Sequence, residues 1–170
     1  IGEDIFEFAD WVRLNGVTHI CGHNIIGYDL PVLEKITGFK WEGAVQDTLV
    51  MSRLGHPNRE AGHSLESWGN RLGFSKGDHS EWGEFSWDMV EYCKRDVELT
   101  EKVYETLSKE LSSFREESIK LEHDVARIIT EQIANGWTIN EREANLLLGE
   151  LREKLHNVEV DVRNTFKPLP

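Results

Sequence analysis

The chain has 170 residues, of which 39% are hydrophobic and 29% are charged, proportions that are typical of a soluble globular protein. Its formal net charge of −12 argues against a stand-alone nucleic-acid clamp, because such proteins are normally basic. An enzyme that acts on nucleic acid is not excluded, since metal ions held by carboxylates can meet phosphate in place of lysine. We expect neither a membrane span nor an export leader. Cys21 and Cys93 lack zinc-ligand spacing and are expected to be reduced thiols.

Helices and short strands alternate along the first 110 residues. In chain order, the apolar patterns predict a helix over residues 4–15, a strand over 17–21, a helix over 29–36, a strand over 44–46, and helices over 48–54, 64–72 and 87–108. Asp29, Asp47 and Ser86 are placed as N-caps. The polar segment over residues 75–85 is predicted to be an ordered loop. This order predicts a small α/β layer, and we expect further strands upstream of Ile1.

The pattern changes after residue 111, where no strand signal is found. An amphipathic helix is predicted over residues 116–135, and "NGWTIN" interrupts it before a second helix from Asn140 to about Phe166. We expect these two helices to form a hairpin. The sequence therefore predicts two domains, residues 1–110 and residues 111–170.

The first candidate site is "HNIIGYD", residues 23–29, at the junction between the first strand and the following helix. Such junctions are where α/β enzymes usually bind ligands. Asp29 has two interpretations: a helix cap, which is the commoner role, or a carboxylate turned toward a hard cation such as Mg²⁺. By itself, Tyr28 is typical of a core residue. His23 is more typical of a hydrogen-bonding residue than of a metal ligand.

The second candidate site is "EYCKRDVELT", residues 91–100. Tyr92 and Asp96 are one helical turn apart and lie on one face. Aspartate is unfavourable inside a helix, so its presence indicates either a surface ion pair, the commoner case, or a metal ligand beside a phenol that holds water. The segment "HSLESWGNRLG" predicts only a capped, half-buried helix with Trp68 and Leu72 inward. His56 and His63 are not assigned to phosphate.

In this order, the motifs resemble those of the proofreading 3′–5′ exonuclease domain of phage-type family A DNA polymerases. "HNIIGYDLPVL" looks like the second exonuclease motif, and "YCKRDVELT" looks like the third motif of the tyrosine-bearing DEDD subclass. "DTLVMSRLGH" and "HSLESWGNRLG" resemble connecting segments of the phage enzymes, and "LEHDVARIITEQIANGWTIN" resembles the helix that opens the polymerase part. The resemblance implies a ribonuclease H-like exonuclease fold, truncated at its N-terminal strands and followed by a helical segment.

By position, the resemblance implies roles for the motif residues. Asp29 and Asp96 would be metal ligands and, with Tyr92 holding the attacking water, the catalytic residues. Asn24 and Tyr28 would bind the terminal nucleotide. The cofactors would be two divalent ions, Mg²⁺ or Mn²⁺, which serve the attacking water and the leaving 3′ oxygen. The substrate would be a single-stranded 3′ end of DNA, and the product a deoxynucleoside 5′-monophosphate.

One departure from the family concerns its first motif, Asp-x-Glu, which supplies two of the four carboxylates. Glu3-Asp4 has the wrong order, and Asp96-x-Glu98 lies in the later helix. We expect this motif upstream of Ile1, and the polymerase palm, which would bind primer–template DNA, downstream of Pro170. The isolated chain is then expected to be a very weak nuclease or none. The expected location is the cytoplasm, that of the host if the protein is viral.

Three other functions stay open at this point. The chain could belong to a stand-alone DEDD-type exonuclease, although the helices after Glu116 argue against this. It could be a degenerate domain that only scaffolds or grips DNA, against which stand the retained Asp29, Tyr92 and Asp96 and the net charge of −12. An unrelated α/β domain would require four ordered coincidences.

Overall fold

A computed structural model describes residues 2–74 and 83–166 of the chain. Most of the loop predicted over residues 75–85 lies outside these ranges. The described elements are α1 (Gly2–Leu14), β1 (His19–Gly22), α2 (Asp29–Thr37), β2 (Ala44–Asp47), α3 (Thr48–Gly55), α4 (Leu65–Leu72), α5 (Trp87–Glu110), α6 (Glu116–Asn135) and α7 (Glu141–Thr165). The predicted α/β class is confirmed, while the ribonuclease H-like fold stays a prediction.

Local sequence signals account for where the helices begin and end. Gly38 and Gly73 end α2 and α4 in the left-handed conformation, with φ of 74° and 63°, which glycine adopts without a steric penalty. Asp47 and Ser86 accept hydrogen bonds from the first turns of α3 and α5, as predicted. The termini of these helices therefore follow from capping chemistry.

The strands β1 and β2 pair in parallel, and α2 connects them. The register places His19 opposite Ala44 and Gly22 opposite Asp47. Both strands therefore end at the same edge of the sheet, so the loop after β1 and the residues that end β2 are neighbours. In α/β proteins this edge is the usual position of a ligand site.

The larger hydrophobic core lies between α3, α4 and α5. Leu99, Val103 and Leu107, spaced four residues apart on α5, are fully buried and form one face of this helix. They pack with Met51, Trp68 and Leu111, so the predicted inward position of Trp68 is confirmed. A smaller core cluster contains Ile25, Ile26 and Val45, from the loop after β1 and from β2.

The chain divides into two compact units, Ile1–Ala134 and Asn135–Pro170. Helix α6 belongs to the first unit, where Ile119 packs against the larger core and Ala126 packs against the smaller one. The second unit contains α7, which exposes an apolar stripe that includes Leu147, Leu151 and Leu155. The functional boundary at residue 110 stays a prediction. None of the helices in the described ranges combines the length and the apolarity needed to cross a membrane.

Candidate active site

A cleft of about 770 Å³ opens beside the carboxyl end of β1. Asp29, at the start of α2, and Asp96, on α5, both line it. The two carboxylates for which the resemblance implies metal binding therefore line one cleft. The full lining is Cys21, Gly22, His23, Ile25, Asp29, Leu65, Cys93, Asp96, Val97, Thr100, Glu101 and Tyr104.

Helix α5 contributes to this cleft with residues other than those that it buries in the larger core. Cys93, Asp96, Thr100 and Tyr104 follow one another at intervals of three or four residues, the spacing of a single helical face. Glu101 lies on the same face and adds a third carboxylate to the lining. Sequence reasoning missed Glu101, because its position becomes evident only once the core residues of α5 fix the rotation of the helix.

Asp29 is the first residue of α2, and the prediction that it caps this helix is wrong. Tyr28 occupies the N-cap position, and no side chain makes a capping hydrogen bond there. The preceding loop provides backbone acceptors instead: Ile25 O accepts from the Leu30 N–H at 3.0 Å, and Tyr28 O accepts from the Val32 N–H at 3.0 Å. The Asp29 carboxylate, which interacts with its own backbone N–H, therefore does not act as the N-cap of α2.

The Asp29 carboxyl group has a perturbed acidity. Although much of the residue is solvent-accessible, partial enclosure of the carboxyl group raises its pKa. A hydrogen bond from the Asp29 backbone N–H opposes this rise, and the negative charge of Asp47 adds to it. Enclosure and the Asp47 charge both disfavour the ionised form of Asp29. A cation bound at the carboxylate would relieve this electrostatic cost, which is a property shared by many functional carboxylates.

Asp47 holds the loop that leads to Asp29. The Asp47 residue is 1% exposed, and its carboxylate accepts three backbone N–H bonds. Oδ1 accepts from Asn24 and from Leu49, both at 2.9 Å, and Oδ2 accepts from Ile26 at 3.0 Å. Only the bond from Leu49 was predicted, as the α3 cap. The other two cross more than twenty positions in the sequence, and no local pattern reveals them.

His123 in turn holds Asp47. The Asp47 N–H donates to His123 Nε2 at 2.8 Å, so this ring nitrogen acts as an acceptor. The proton of the neutral ring then lies on Nδ1, which donates to Ile119 O at 2.7 Å. The imidazole is only 4% exposed. The sequence signal for this role is a lone histidine on the buried face of the amphipathic helix α6, which indicates a buried hydrogen-bonding group. Sequence reasoning missed it.

Asn24, Tyr28 and Tyr92 lie near the cleft, but they are not among the residues that line it. Asn24 is exposed and has a left-handed backbone, with φ of 62°. Tyr28 is 63% exposed, so the expectation of a core residue is wrong, because the turn that carries it faces solvent. Tyr92 is half-buried one helical turn before Asp96.

Two histidines contribute hydrogen bonds to the local structure. His23 Nδ1 lies 2.8 Å from Thr48 Oγ1, whose hydroxyl donates to Gly22 O, so His23 donates to Thr48. His63 Nδ1 lies 2.8 Å from Ser52 Oγ, and its Nε2 lies 3.1 Å from Pro57 O. The hydrogen-bonding role predicted for His23 is confirmed, whereas no hydrogen bond was predicted for His63.

The two cysteines both line the cleft, and both are free thiols. Although Cys21 is an exposed residue, partial enclosure of its thiol raises its pKa to about 11, and the negative charge of Asp47 contributes to this shift. Because the thiolate is the reactive and metal-binding form, Cys21 is suited neither to nucleophilic catalysis nor to binding a soft metal at neutral pH.

The donor set of Asp29 and Asp96 fits a hard divalent cation. Within the described ranges, no group of three or more His, Cys, Asp and Glu side chains is placed to form a metal site. Mg²⁺, however, is usually held by one or two carboxylates, with waters and substrate phosphate oxygens completing its octahedron. Two carboxylates at an open cleft are thus suited to an ion that shares its coordination with a phosphate group.

Two curated relatives are similar to this chain. The DNA-directed DNA polymerase of Enterobacteria phage T3 is 25% identical to it over an aligned length of 203 residues, which covers 85% of this chain and 29% of the relative. The DNA-directed DNA polymerase of Escherichia phage T7 gives the same identity and the same coverage. The similarity supports a relationship with phage DNA polymerases. The chain spans less than a third of the length of these relatives. No family model matches the sequence.

Proposed function

We propose that this chain is part of a DNA-directed DNA polymerase and contributes Asp29 and Asp96 to its two-metal 3′–5′ exonuclease site. The observation that supports this most directly is that both aspartates, from separate elements, line one cleft at the carboxyl end of β1. The similarity to the phage polymerases extends over 85% of the chain and supports a polymerase rather than a stand-alone nuclease.

In this proposal, the reaction is hydrolysis of the terminal phosphodiester of a DNA strand. The water oxygen bonds to phosphorus and the bond from phosphorus to the 3′ oxygen breaks. The 3′ oxygen takes up a proton and becomes the new 3′ hydroxyl of the shortened strand, and a deoxynucleoside 5′-monophosphate leaves. Divalent ions held by Asp29 and Asp96, Mg²⁺ or Mn²⁺, would supply a more acidic water and neutralise charge on the phosphate. The negative charge of Asp47, which contributes to the raised pKa of Asp29, also favours a cation near this carboxylate.

The remaining predicted residues would bind and orient the substrate. Tyr92 is one helical turn before Asp96 on α5, so its phenol is suited to hold the attacking water beside the metal ligand. Tyr28, which is 63% exposed, offers an aromatic face next to Asp29 on which a terminal base can stack. Asn24, at the start of the same turn, offers an amide to the nucleotide.

The test is metal-dependent degradation of an end-labelled single-stranded oligonucleotide by the complete protein that contains this chain. The Asp29→Ala and Asp96→Ala variants are each expected to lose most of the activity, because ligands that act as a unit are not additive. Asp88→Ala, which alters an exposed aspartate outside the cleft, is the matched control and is expected to keep it. Degradation at the wild-type rate by both cleft variants would refute the proposal.

A further inference from the structure

We propose that Asp47 is a positioning residue that fixes the Asp29 carboxylate across the cleft from Asp96, and that His123 anchors Asp47 from α6. This inference rests on the proposed metal site and names two residues that neither exonuclease motif contains. Asp47 and His123 are not among the residues lining the cleft, so they act through the loop and not on the ligand.

The first argument is that Asp47 makes more bonds than its cap requires. A helix N-cap needs one side-chain acceptor, and serine, threonine or asparagine would provide it. Here that bond is the one from the Leu49 N–H, whereas the bonds from the Asn24 and Ile26 N–H groups serve the loop after β1. Only a carboxylate presents two acceptor oxygens without a donor. Asparagine would turn an NH₂ group toward one of these N–H donors.

The second argument is that the loop is linked rigidly to Asp29. The turn that starts at Asn24 closes with hydrogen bonds from the Gly27 and Tyr28 N–H groups to Asn24 O, at 3.2 and 3.0 Å. Tyr28 is the N-cap of α2, and Asp29 is its first residue. A displacement of Asn24 or Ile26 would therefore be passed to Asp29 through a short, hydrogen-bonded backbone path.

The third argument is the close packing beneath this turn. Gly22 lies opposite Asp47 in the sheet, and a Cβ atom at Gly22 would lie 2.7 Å from Ile25 Cβ. A Cβ atom at Gly27 would likewise lie 2.7 Å from Asn24 Oδ1. At Gly22 the contact is with the buried Ile25 side chain, so a larger residue there would disturb the packing beneath the turn. The Asn24 side chain is exposed and can move aside, so the contact at Gly27 restricts the turn less. The packing of Ile25 on Gly22 therefore helps to hold the loop next to the strand that ends at Asp47.

The fourth argument concerns α6. The Asp47 N–H donates to His123 Nε2, and the imidazole is fixed by its own bond to Ile119 O. Groups that orient a metal ligand without touching the metal commonly determine its affinity, and their loss typically costs about 10- to 100-fold in metal binding. Through Asp47, helix α6 therefore stabilises the geometry of the proposed site.

The test compares Mn²⁺ binding and loop structure in the complete protein that contains this chain and in its variants by NMR, using paramagnetic line broadening and amide exchange. Asp47→Asn is expected to weaken Mn²⁺ binding at Asp29 by about 10-fold or more, with broadening restored at higher Mn²⁺. The Asn24 and Ile26 amides should exchange faster. Ser52→Ala is the matched control: it removes another fully buried acceptor, which the Trp68 N–H uses, and should change neither quantity.

Wild-type Mn²⁺ affinity and unchanged Asn24 and Ile26 amides in Asp47→Asn would overturn the inference. If circular dichroism shows that this variant does not fold, His123→Ala replaces it. In His123→Ala we expect a smaller loss of Mn²⁺ affinity and faster exchange at the same two amides. Wild-type affinity and exchange in that variant would count equally against the inference. Absence of Mn²⁺ binding at Asp29 and Asp96 in the wild type would instead contradict the proposed function, while the amide exchange still decides whether Asp47 holds the loop.

Discussion

The backbone N–H of Asp47 donates a 2.8 Å hydrogen bond to Nε2 of His123, which lies 76 positions later in the chain. Both residues are almost fully buried, at 1% and 4% exposure. The bond joins the end of β2 to the middle of α6, so this helix is part of the structure that supports the candidate site.

Replacing His123 by alanine is expected to destabilise the protein. The change leaves the Asp47 N–H buried without its acceptor, which costs about 1–3 kcal/mol for a neutral group. Urea unfolding followed by circular dichroism measures the effect, and His56→Ala, at an exposed histidine, is the control. Equal free energies of unfolding for His123→Ala and the wild type would show that the hydrogen bond contributes nothing.

Asp29→Asn is expected to raise the melting temperature at neutral pH. Burial raises the pKa of Asp29 in the folded state, a hydrogen bond from the Asp29 backbone N–H opposes this rise, and the charge of Asp47 adds to it. Because the net shift is upward, ionised Asp29 costs stability in the folded state. The wild type therefore loses stability as the pH rises through this raised pKa. As the pH falls toward the unfolded-state pKa, the advantage of the variant should shrink.

Melting curves of the wild type and Asp29→Asn between pH 7 and pH 4 test this expectation. The matched control is Asp88→Asn, which alters another first-turn aspartate, on α5 and outside the cleft. Asp88→Asn removes a negative charge from a helix N-terminus, so the melting temperature of this variant should be slightly lower than that of the wild type. A lower melting temperature for Asp29→Asn at pH 7 would mean that the ionised Asp29 carboxylate stabilises the fold, contrary to its raised pKa.

The Cys21 thiol is expected to react slowly with iodoacetamide at pH 8. Burial and the charge of Asp47 raise its pKa to about 11, and only the thiolate is alkylated. In a Cys93→Ser background, the rate should keep rising up to about pH 11, whereas the urea-unfolded chain should reach its plateau near the ordinary value for a thiol, about pH 9. A plateau near pH 9 in the folded protein would contradict the placement of Cys21 beside Asp47.

Much of the fold was predictable, because its signals are local. The glycines at positions 38 and 73 and the caps at Asp47 and Ser86 indicated the ends of helices within a few residues. The exposure of Tyr28 was not predictable, since it depends on how the turn is oriented relative to the sheet. Three-dimensional packing, rather than residue pattern, determines such an orientation.

The candidate site was predictable only in part. Asp29 and Asp96 stood out because their spacing relative to Asn24 and Tyr92 resembles known motifs. Glu101 required knowledge of which α5 face meets the core. The contacts from Asp47 to the loop and to His123 depend on the register of the two strands and on the packing of α6, and a single sequence contains no local sign of either.

The central claim is that Asp29 and Asp96 hold divalent metal ions at one site, and Mn²⁺ titration of the complete protein that contains this chain, followed by paramagnetic line broadening, tests it most directly. We predict that Mn²⁺ broadens the signals of these two residues, that Asp29→Asn and Asp96→Asn each reduce the affinity, and that the double variant abolishes specific broadening at the cleft. Broadening at the cleft that is absent in the wild type, or unchanged in the double variant, would contradict the account.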